Sequence, residues 1–191
     1  MSAIISILSK GGTSVPQPSY VSGQYYGIDV NGTTFVDRTL AANEAIFTCF
    51  SPHEDITIDR LGINVRAVAL GTLARLYIID SDVNRQPNAI VYTSATIDIT
   101  STGHKEIILD YTFKKSKLYW LMCQVNGTAS LECVGGGGCP ALGLSSVGAT
   151  KFISLRNTPA GFPVLTTLTS FQPYGTSRSV NTPAQVKFRK A

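Results

Sequence analysis

The side chains that most often carry enzyme chemistry are scarce in this sequence. It contains two histidines among 191 residues, and neither has a second histidine or a cysteine close to it. His53 precedes Glu54 and Asp55, a group that could bind a metal ion, and His104 follows Gly103. A Ser-His-Asp triad or a three-histidine metal centre needs more partners than these. We therefore expect both histidines to be solvated turn residues, with no metal site and no catalytic residue.

Three short motifs resemble functional loops, but each lacks something that the chemistry requires. Residues 143–148 are small but lack the G-x-S-x-G spacing of a nucleophile elbow. Residues 80–84 open like a calcium loop, but Arg85 stands where that loop needs glycine and Val91 where it needs glutamate. The glycine run 135–138 lacks the Lys-Ser/Thr pair of a phosphate-binding loop. We interpret all three as turns or flexible loops and expect no cofactor.

The four cysteines are Cys49, Cys123, Cys133 and Cys139, and no C-x-x-C pair occurs among them. Cys133 and Cys139 flank the glycine run, and a disulfide closing that small ring would contribute roughly 2 to 2.5 kcal/mol. An intersubunit bond through Cys49 or Cys123 is the alternative, and four free thiols are an equally open outcome. The N-terminal sequence has no secretory signal pattern, so we expect a disulfide to form only after release from a reducing cytoplasm.

Charged residues are few and unevenly distributed. They make up 15% of the chain, against about 25% in typical soluble domains, so we expect a homo-oligomer whose contacts bury surplus apolar surface. Residues 1–110 hold seven basic and eleven acidic residues, whereas residues 111–191 hold nine basic residues and one acidic residue. No nucleic-acid-binding motif accompanies the basic half, so no specific nucleic acid is expected. The basic C-terminal strand with Lys187, Arg189 and Lys190 is predicted to face an acidic region of another copy or of a different protein.

Residues 1–33 have the composition of an extended arm. They are rich in Ser, Gly, Pro and Gln and then carry Tyr20, Tyr25 and Tyr26. Polar extended segments with isolated aromatic residues cannot bury enough apolar area alone, but they can lie across a partner's surface. We therefore predict a docking arm with these tyrosines as anchors.

Residues 34–191 are predicted to form an all-β domain, a jelly-roll β-sandwich that carries the extended N-terminal arm. Short runs rich in Ile, Val, Thr, Tyr and Phe alternate with turn residues, and the parity of the apolar residues slips at Asp59-Arg60, which indicates a bulge or a bend between sheets. The run 118–123 is apolar on both parities, so it should be a central strand covered on both sides. We place Trp120 and Met122 of this run at a subunit interface. No stretch reaches the roughly 18 apolar residues of a membrane span, so no membrane partner is expected.

Five segments together resemble the jelly-roll module of tailed-bacteriophage virion proteins. The resemblance spans roughly residues 35–126, about half of the chain, and the segments are Ile58–Val65, Ala74–Asp80, Gln86–Pro87, Thr102–Ile107 and Leu118–Leu121. Members of that family tend to have glycine after the Gln-Pro turn, where this chain has Asn88. The resemblance implies a head-fibre, decoration, collar or tail-fibre protein that forms oligomers, often trimers, and attaches to the particle by an N-terminal segment. No catalytic residue comes with it.

We therefore expect a non-enzymatic structural component of a phage virion, assembled in the host cytoplasm and located on the head, neck or tail. Its partners would be further copies of the chain and other virion proteins. The alternative is a carbohydrate-binding receptor module that recognises a host glycan, with loop aromatics such as Phe162, Phe171 and Tyr174 stacking on sugars. A glycan hydrolase is the least favoured hypothesis.

Overall fold

The computed structural model describes residues 18–27, 35–67, 70–83, 85–134, 154–157, 161–166, 168 and 185–191. All regular structure in these ranges is β. The strands are β1 (Tyr25–Tyr26), β2 (Phe35–Leu40), β3 (Ala45–Phe50), β4 (Ile56–Ala67), β5 (Leu73–Ser81), β6 (Pro87–Thr93), β7 (Ile97–Asp98), β8 (Gly103–Phe113), β9 (Tyr119–Val125), β10 (Ala129–Val134), β11 (Ser154–Asn157) and β12 (Lys187–Lys190).

Eight of these strands pair in the nested order that defines a jelly roll. Strand β2 pairs with β10, β3 with β9, β4 with β8 and β5 with β6, all antiparallel. This long ribbon is folded into two sheets: sheet A contains β2, β10, β4 and β8, and sheet B contains β3, β9, β5 and β6. The predicted all-β jelly-roll sandwich is thus confirmed. The predicted bulge is confirmed as well, because the β4–β8 register shifts between Ile58 and Arg60.

Strands β10 and β12 of sheet A pair with different parts of the same edge of β4. Strand β12 pairs with the first half of β4 and β10 with its second half, and both lie on the edge of β4 opposite β8. The Gln185 amide donates to the Glu132 carbonyl at 3.1 Å, so β12 continues the line of β10. Strand β1 pairs with β12 as β2 pairs with β10. Residues 135–184, here called the excursion, therefore leave and rejoin sheet A at one point.

This topology corrects the predicted boundary after residue 33. Residues 18–27, the described part of the predicted arm, contribute β1 to sheet A instead of standing apart from the sandwich.

The main core lies between the two sheets. Its buried side chains alternate along each strand, and in β4 the inward set changes parity at the bulge, from Ile56 and Ile58 to Leu61, Ile63 and Val65. Aromatic side chains close the core at one end, where the Phe113 ring lies 5.1 Å from Phe50 and 4.9 Å from Tyr119. Burial of this continuous apolar surface is the principal driving force for the fold.

A second apolar cluster covers the outer face of sheet B. Its buried members are Ala45, Phe47, Cys49, Tyr77, Ile79, Trp120 and Met122, and Leu165 and Leu168 pack against them. Strand β9 is buried along its whole length, as predicted for a strand covered on both sides. The expectation that its outer side chains meet another subunit is wrong for the chain as folded here. Trp120 is 1% exposed and Met122 is 0% exposed, because the chain covers this face itself.

Residues 161–166 and 168, here called the cover segment, are held on sheet B by Arg75 and Tyr77. The Arg75 guanidinium donates to the carbonyls of Phe162 and Pro163 and stacks 4.5 Å from the centre of the Phe162 ring. The Tyr77 hydroxyl donates to Gln124 Oε1 at 2.9 Å and lies 3.5 Å from the Pro163 carbonyl. These contacts satisfy backbone carbonyls that burial would otherwise leave unpaired.

Candidate docking site at the N-terminal segment

The predicted anchor residues Tyr20 and Tyr26 lie against the chain's own sandwich. The Tyr20 ring stacks on His53 at 4.5 Å and meets the Tyr26 ring edge-on at 4.8 Å. Both rings also contact Phe188 of β12, at 6.2 and 6.0 Å. Because Phe188 is fully buried and touches Phe50 and Phe113, the two tyrosines extend the aromatic core.

Backbone contacts tie the same segment to the C-terminal strand. The Gly23 amide donates to the Lys190 carbonyl, and the Lys190 amide donates to the Gln24 carbonyl. The Lys190 ammonium donates to the Tyr20 carbonyl at 2.7 Å, and the Tyr20 amide donates to Glu54 at 2.9 Å. Residues 18–27 are thus fixed by hydrogen bonds at both ends of the segment as well as by their rings.

Tyr25 points to the outer face of sheet A. Its hydroxyl donates to Glu106 at 2.5 Å, and its ring meets the His104 ring edge-on at 5.1 Å. The His104 ring lies over Gly62, where an added Cβ would approach to 2.7 Å, so glycine at position 62 makes room for it. Both histidines therefore contact tyrosines of the N-terminal segment, which corrects the expectation that they are isolated turn residues.

The carboxylates that hold this segment favour their charged forms. The Tyr20 amide holds the pKa of Glu54 below its usual value. Partial burial opposes ionisation of Glu106, but the Tyr25 hydroxyl and His104 ring outweigh it and the pKa of Glu106 is lowered. Both groups are therefore acceptors for the segment at neutral pH.

The described N-terminal segment, residues 18–27, starts at one end of the sandwich, here called the arm end. This end is formed by loops 51–55 and 114–118, which are joined by the Ser116 amide donating to the Pro52 carbonyl. Tyr20 is bound to the first loop through Glu54, and the Ala191 amide donates to the Thr57 carbonyl beside it. Both described ends of the chain therefore lie at the arm end.

The basic C-terminal strand is neutralised within the chain, contrary to the prediction that it faces another molecule. Lys187 pairs with Glu132 at 2.8 Å, and Arg189 binds both oxygens of Asp59, at 2.9 and 2.5 Å. The Arg189 guanidinium holds the pKa of Asp59 below its usual value. Asp59 of the first half thus lies beside Arg189 of the second, and Asp55 and Asp80 pair in the same way with Lys114 and Lys117, whereas Glu132 belongs to the second half itself. The charge asymmetry along the sequence is largely cancelled in space at these positions.

The cysteines divide between the two apolar clusters. Cys123 and Cys133 are free thiols in the core between the sheets, and Cys49 is buried in the outer cluster of sheet B. Burial raises the pKa of Cys133 to about 12 and also raises the pKa of Cys123. An intersubunit bond through buried Cys123 or Cys49 is therefore excluded in this fold. Cys139 lies outside the described residues, so its pairing with Cys133 stays a prediction.

The other described side chains that could take part in catalysis or metal binding do not come together in one site. In the part of the chain that the structure describes, no three or more His, Cys, Asp or Glu side chains could together hold a metal ion. The same part contains no helix long and apolar enough to cross a membrane. The Phe162 ring, expected to bind sugar, stacks on Arg75 instead. Phe171 and Tyr174 lie outside the described residues.

Comparison with known proteins adds no assignment. No model of a protein family and no curated protein sequence matches this chain. Phe188 and Glu106, which complete the docking site, were given no role from the sequence, and Glu54 was considered only beside His53 as part of a group that could bind a metal ion. A possible signal was the apolar phenylalanine between the basic residues of β12, which marks an inward position in a strand.

Proposed function

We propose that the protein is a non-enzymatic structural component of a tailed-bacteriophage virion. It acts as a homo-oligomer and attaches to other virion proteins through residues 1–17. The observation that carries this proposal is the anchorage of residues 18–27, because rings and hydrogen bonds fix the point from which residues 1–17 depart. A rigid module with a tether at a fixed point is suited to attachment and needs no catalytic group.

The resemblance to phage virion modules supports the same function. Two of its five segments fall within β4 and β5, and the other three cover the starts of β6, β8 and β9 together with the one residue before each strand. They therefore belong to the jelly-roll ribbon and not to the excursion. The virion location and the choice among head, neck and tail follow from the resemblance alone and are part of the proposal.

The carbohydrate-binding alternative has no supporting observation among the described aromatic side chains. Phe162 is engaged by Arg75, and the tyrosines of the N-terminal segment pack on the sandwich. We therefore retain a single proposed function.

A deletion that spares the anchor tests the proposal. In the phage that encodes the protein, a chain lacking residues 1–17 but keeping Tyr20 should fold with an unchanged melting temperature and be missing from purified particles. The matched control is the Leu70→Ala chain, because Leu70 is 94% exposed and precedes β5, whose first residues lie at the opposite end of the sandwich from loops 51–55 and 114–118; it should be incorporated normally. Normal incorporation of the deleted chain would refute tethering. Absence of the wild-type chain from immunogold-labelled particles would refute the virion assignment.

A further inference from the structure

A lysine, a glutamate and an asparagine from three strands meet on the outer face of sheet A. The Lys187 ammonium of β12 lies 2.8 Å from Glu132 Oε1 of β10. The Asn64 side-chain amide of β4 donates to the same oxygen at 3.1 Å. Lys187 lies opposite Gly62 of β4, and side chains at positions 62 and 64 share one face of the strand. The fold thus places an amine and a carboxamide beside one carboxylate oxygen.

Hydrogen bonds on both sides fix the orientation of the Asn64 amide group. An ionised carboxylate can only accept, so the Asn64 nitrogen faces Glu132 and its carbonyl oxygen faces the His104 ring, 3.0 Å from Nδ1. Because that carbonyl oxygen can also only accept, Nδ1 of His104 is the donor. Glu106 lies 3.2 Å from the other ring nitrogen, and the ring rests over Gly62. The carbonyl carbon of Asn64 is therefore polarised by a donor on its oxygen.

Glu132 has the properties of a proton carrier between the two nitrogen atoms. Its side chain is 5% exposed, and Arg66 binds its other oxygen, Oε2, which directs Oε1 to Lys187 and Asn64. Burial opposes the ionisation of Glu132, but the Lys187 ammonium and the Arg66 guanidinium outweigh it, so the pKa of Glu132 is lowered and the group is charged at neutral pH. One oxygen contacts both nitrogens, so it can take a proton from the amine and pass it to the amide.

We propose that the folded chain joins Lys187 to Asn64 through an isopeptide bond. Glu132 Oε1 removes a proton from the Lys187 ammonium, and the free amine attacks Cγ of Asn64. The His104 Nδ1–H group stabilises the oxyanion that forms on Oδ1. Glu132 then gives its proton to Nδ2 and the Cγ–Nδ2 bond breaks. The released ammonia takes the second proton lost by Nζ and departs as ammonium. One Nζ–Cγ bond replaces one Cγ–Nδ2 bond, and no oxidant or reductant is needed.

The ion pair of Lys117 with Asp80 provides a comparison within the same chain. The Lys117 ammonium lies 2.6 Å from Asp80 Oδ2, whereas Asp80 Oδ1 has no hydrogen-bond partner among the described residues. No side-chain amide in that part of the chain shares the Asp80 carboxylate. This pair therefore has an amine and a base but no carbonyl carbon to attack, and Lys117 should remain unlinked.

The isopeptide bond would fasten the last strand of the chain to the middle of sheet A. Strand β12 pairs with β1 and carries Phe188, on which Tyr20 and Tyr26 pack. With β12 linked to β4, neither β12 nor the N-terminal segment that rests on it could lose its place by unpairing of β12 alone. Formation of the bond is independent of the virion assignment, so its test uses the purified full chain alone.

Mass spectrometry of the denatured full chain tests the proposal. The wild-type chain should be lighter than its sequence mass by one ammonia molecule, and digestion should yield a branched peptide that joins β4 to β12. Lys187→Arg keeps the positive charge beside Glu132 but removes the nucleophile, so it should have the full sequence mass. Glu132→Gln removes the base and should slow bond formation about 10²-fold or more. Lys117→Arg is the matched control and should show the wild-type loss of mass.

Cyclisation of an asparagine also releases ammonia, and Asn31 and Asn126, which precede glycine, are candidates for it. A loss of mass that persists in Lys187→Arg would assign the loss to such a residue and overturn the isopeptide bond. The full sequence mass in the wild-type chain, with unlinked β4 and β12 peptides after prolonged incubation at neutral pH, would overturn it as well. A branched peptide in the wild type identifies the two linked residues directly, so this result stands even where a variant does not fold.

Discussion

Phe188 connects the N-terminal segment to the aromatic core, so its truncation should damage both. The side chain is fully buried and contacts the rings of Tyr20, Tyr26, Phe50 and Phe113. Truncation of a buried phenylalanine to alanine costs about 3 to 5 kcal/mol. For a chain of this size, each kcal/mol lowers the melting temperature by about 2 to 4 °C. We expect Phe188→Ala to melt roughly 6 to 20 °C below the wild type.

The assay is urea unfolding followed by tryptophan fluorescence, with calorimetry for the melting temperature. Because native stabilities are about 5 to 15 kcal/mol, Phe188→Leu is prepared as a milder variant in case the alanine variant does not fold. The exposed Val83→Ala substitution is the control and should change stability by less than about 0.5 kcal/mol.

A double-mutant cycle locates the effect at the N-terminal segment. The Tyr26 ring stacks on Phe188 at 6.0 Å, and such aromatic pairs couple by about 0.5 to 1.5 kcal/mol. Phe188→Leu combined with Tyr26→Leu should therefore cost less than the sum of the single changes. A loss below about 1 kcal/mol in Phe188→Ala, or additive single changes, would show that the segment does not rest on the core as described.

The remaining predictions concern the cover segment, the thiols and acid. Arg75→Met should lower the free energy of unfolding by about 1 to 3 kcal/mol, because the carbonyls of Phe162 and Pro163 lose their charged donor. It should also speed proteolysis at residues 161–166; the same rate as in the exposed control Lys115→Met would contradict it. At neutral pH, Ellman's reagent should titrate at most one thiol per native chain, since three are buried; two or more reactive thiols would refute this packing. The pKa of Glu54 lies below its ordinary 4.5 because its carboxylate accepts the Tyr20 amide. This hydrogen bond stabilises the fold while Glu54 is charged and is lost when Glu54 is protonated. The Tyr20 amide resonance should therefore move as the pH falls through this lowered pKa. A Tyr20 titration that persists in Glu54→Gln would assign it to another group.

Local pattern was sufficient to predict the strands of the jelly-roll ribbon. The parity slip at Asp59-Arg60 located the bulge because inward and outward positions alternate with a period of two. The two-sided apolar run around Trp120 identified a strand covered on both faces. These signals depend on neighbouring residues within a single strand, so no knowledge of its partners was needed.

Pairing between distant segments could not be predicted in this way. The sequence indicated apolar cover over Trp120 and Met122, but it did not indicate whether the cover came from the same chain. Likewise, Arg189 and Asp59 are 130 residues apart, so the charge counts of the two halves could not show that they meet. Tyr20 and Tyr26 were predicted to lie on a partner's surface, whereas they pack on Phe188 of the same chain. That contact depends on the insertion of β12 beside β4.

The position of β12 has a consequence for synthesis on the ribosome. This strand emerges after every other described strand, and it supplies Val186 and Phe188 to the core and half of the hydrogen-bonding edge of β4. A nascent chain that ends before residue 185 therefore carries an open edge and an unfilled apolar gap, which are features that chaperones and proteases recognise. Synthesis of β12 and closure of sheet A are thus coupled, and a chain that stops before β12 also lacks Phe188, on which Tyr20 and Tyr26 pack.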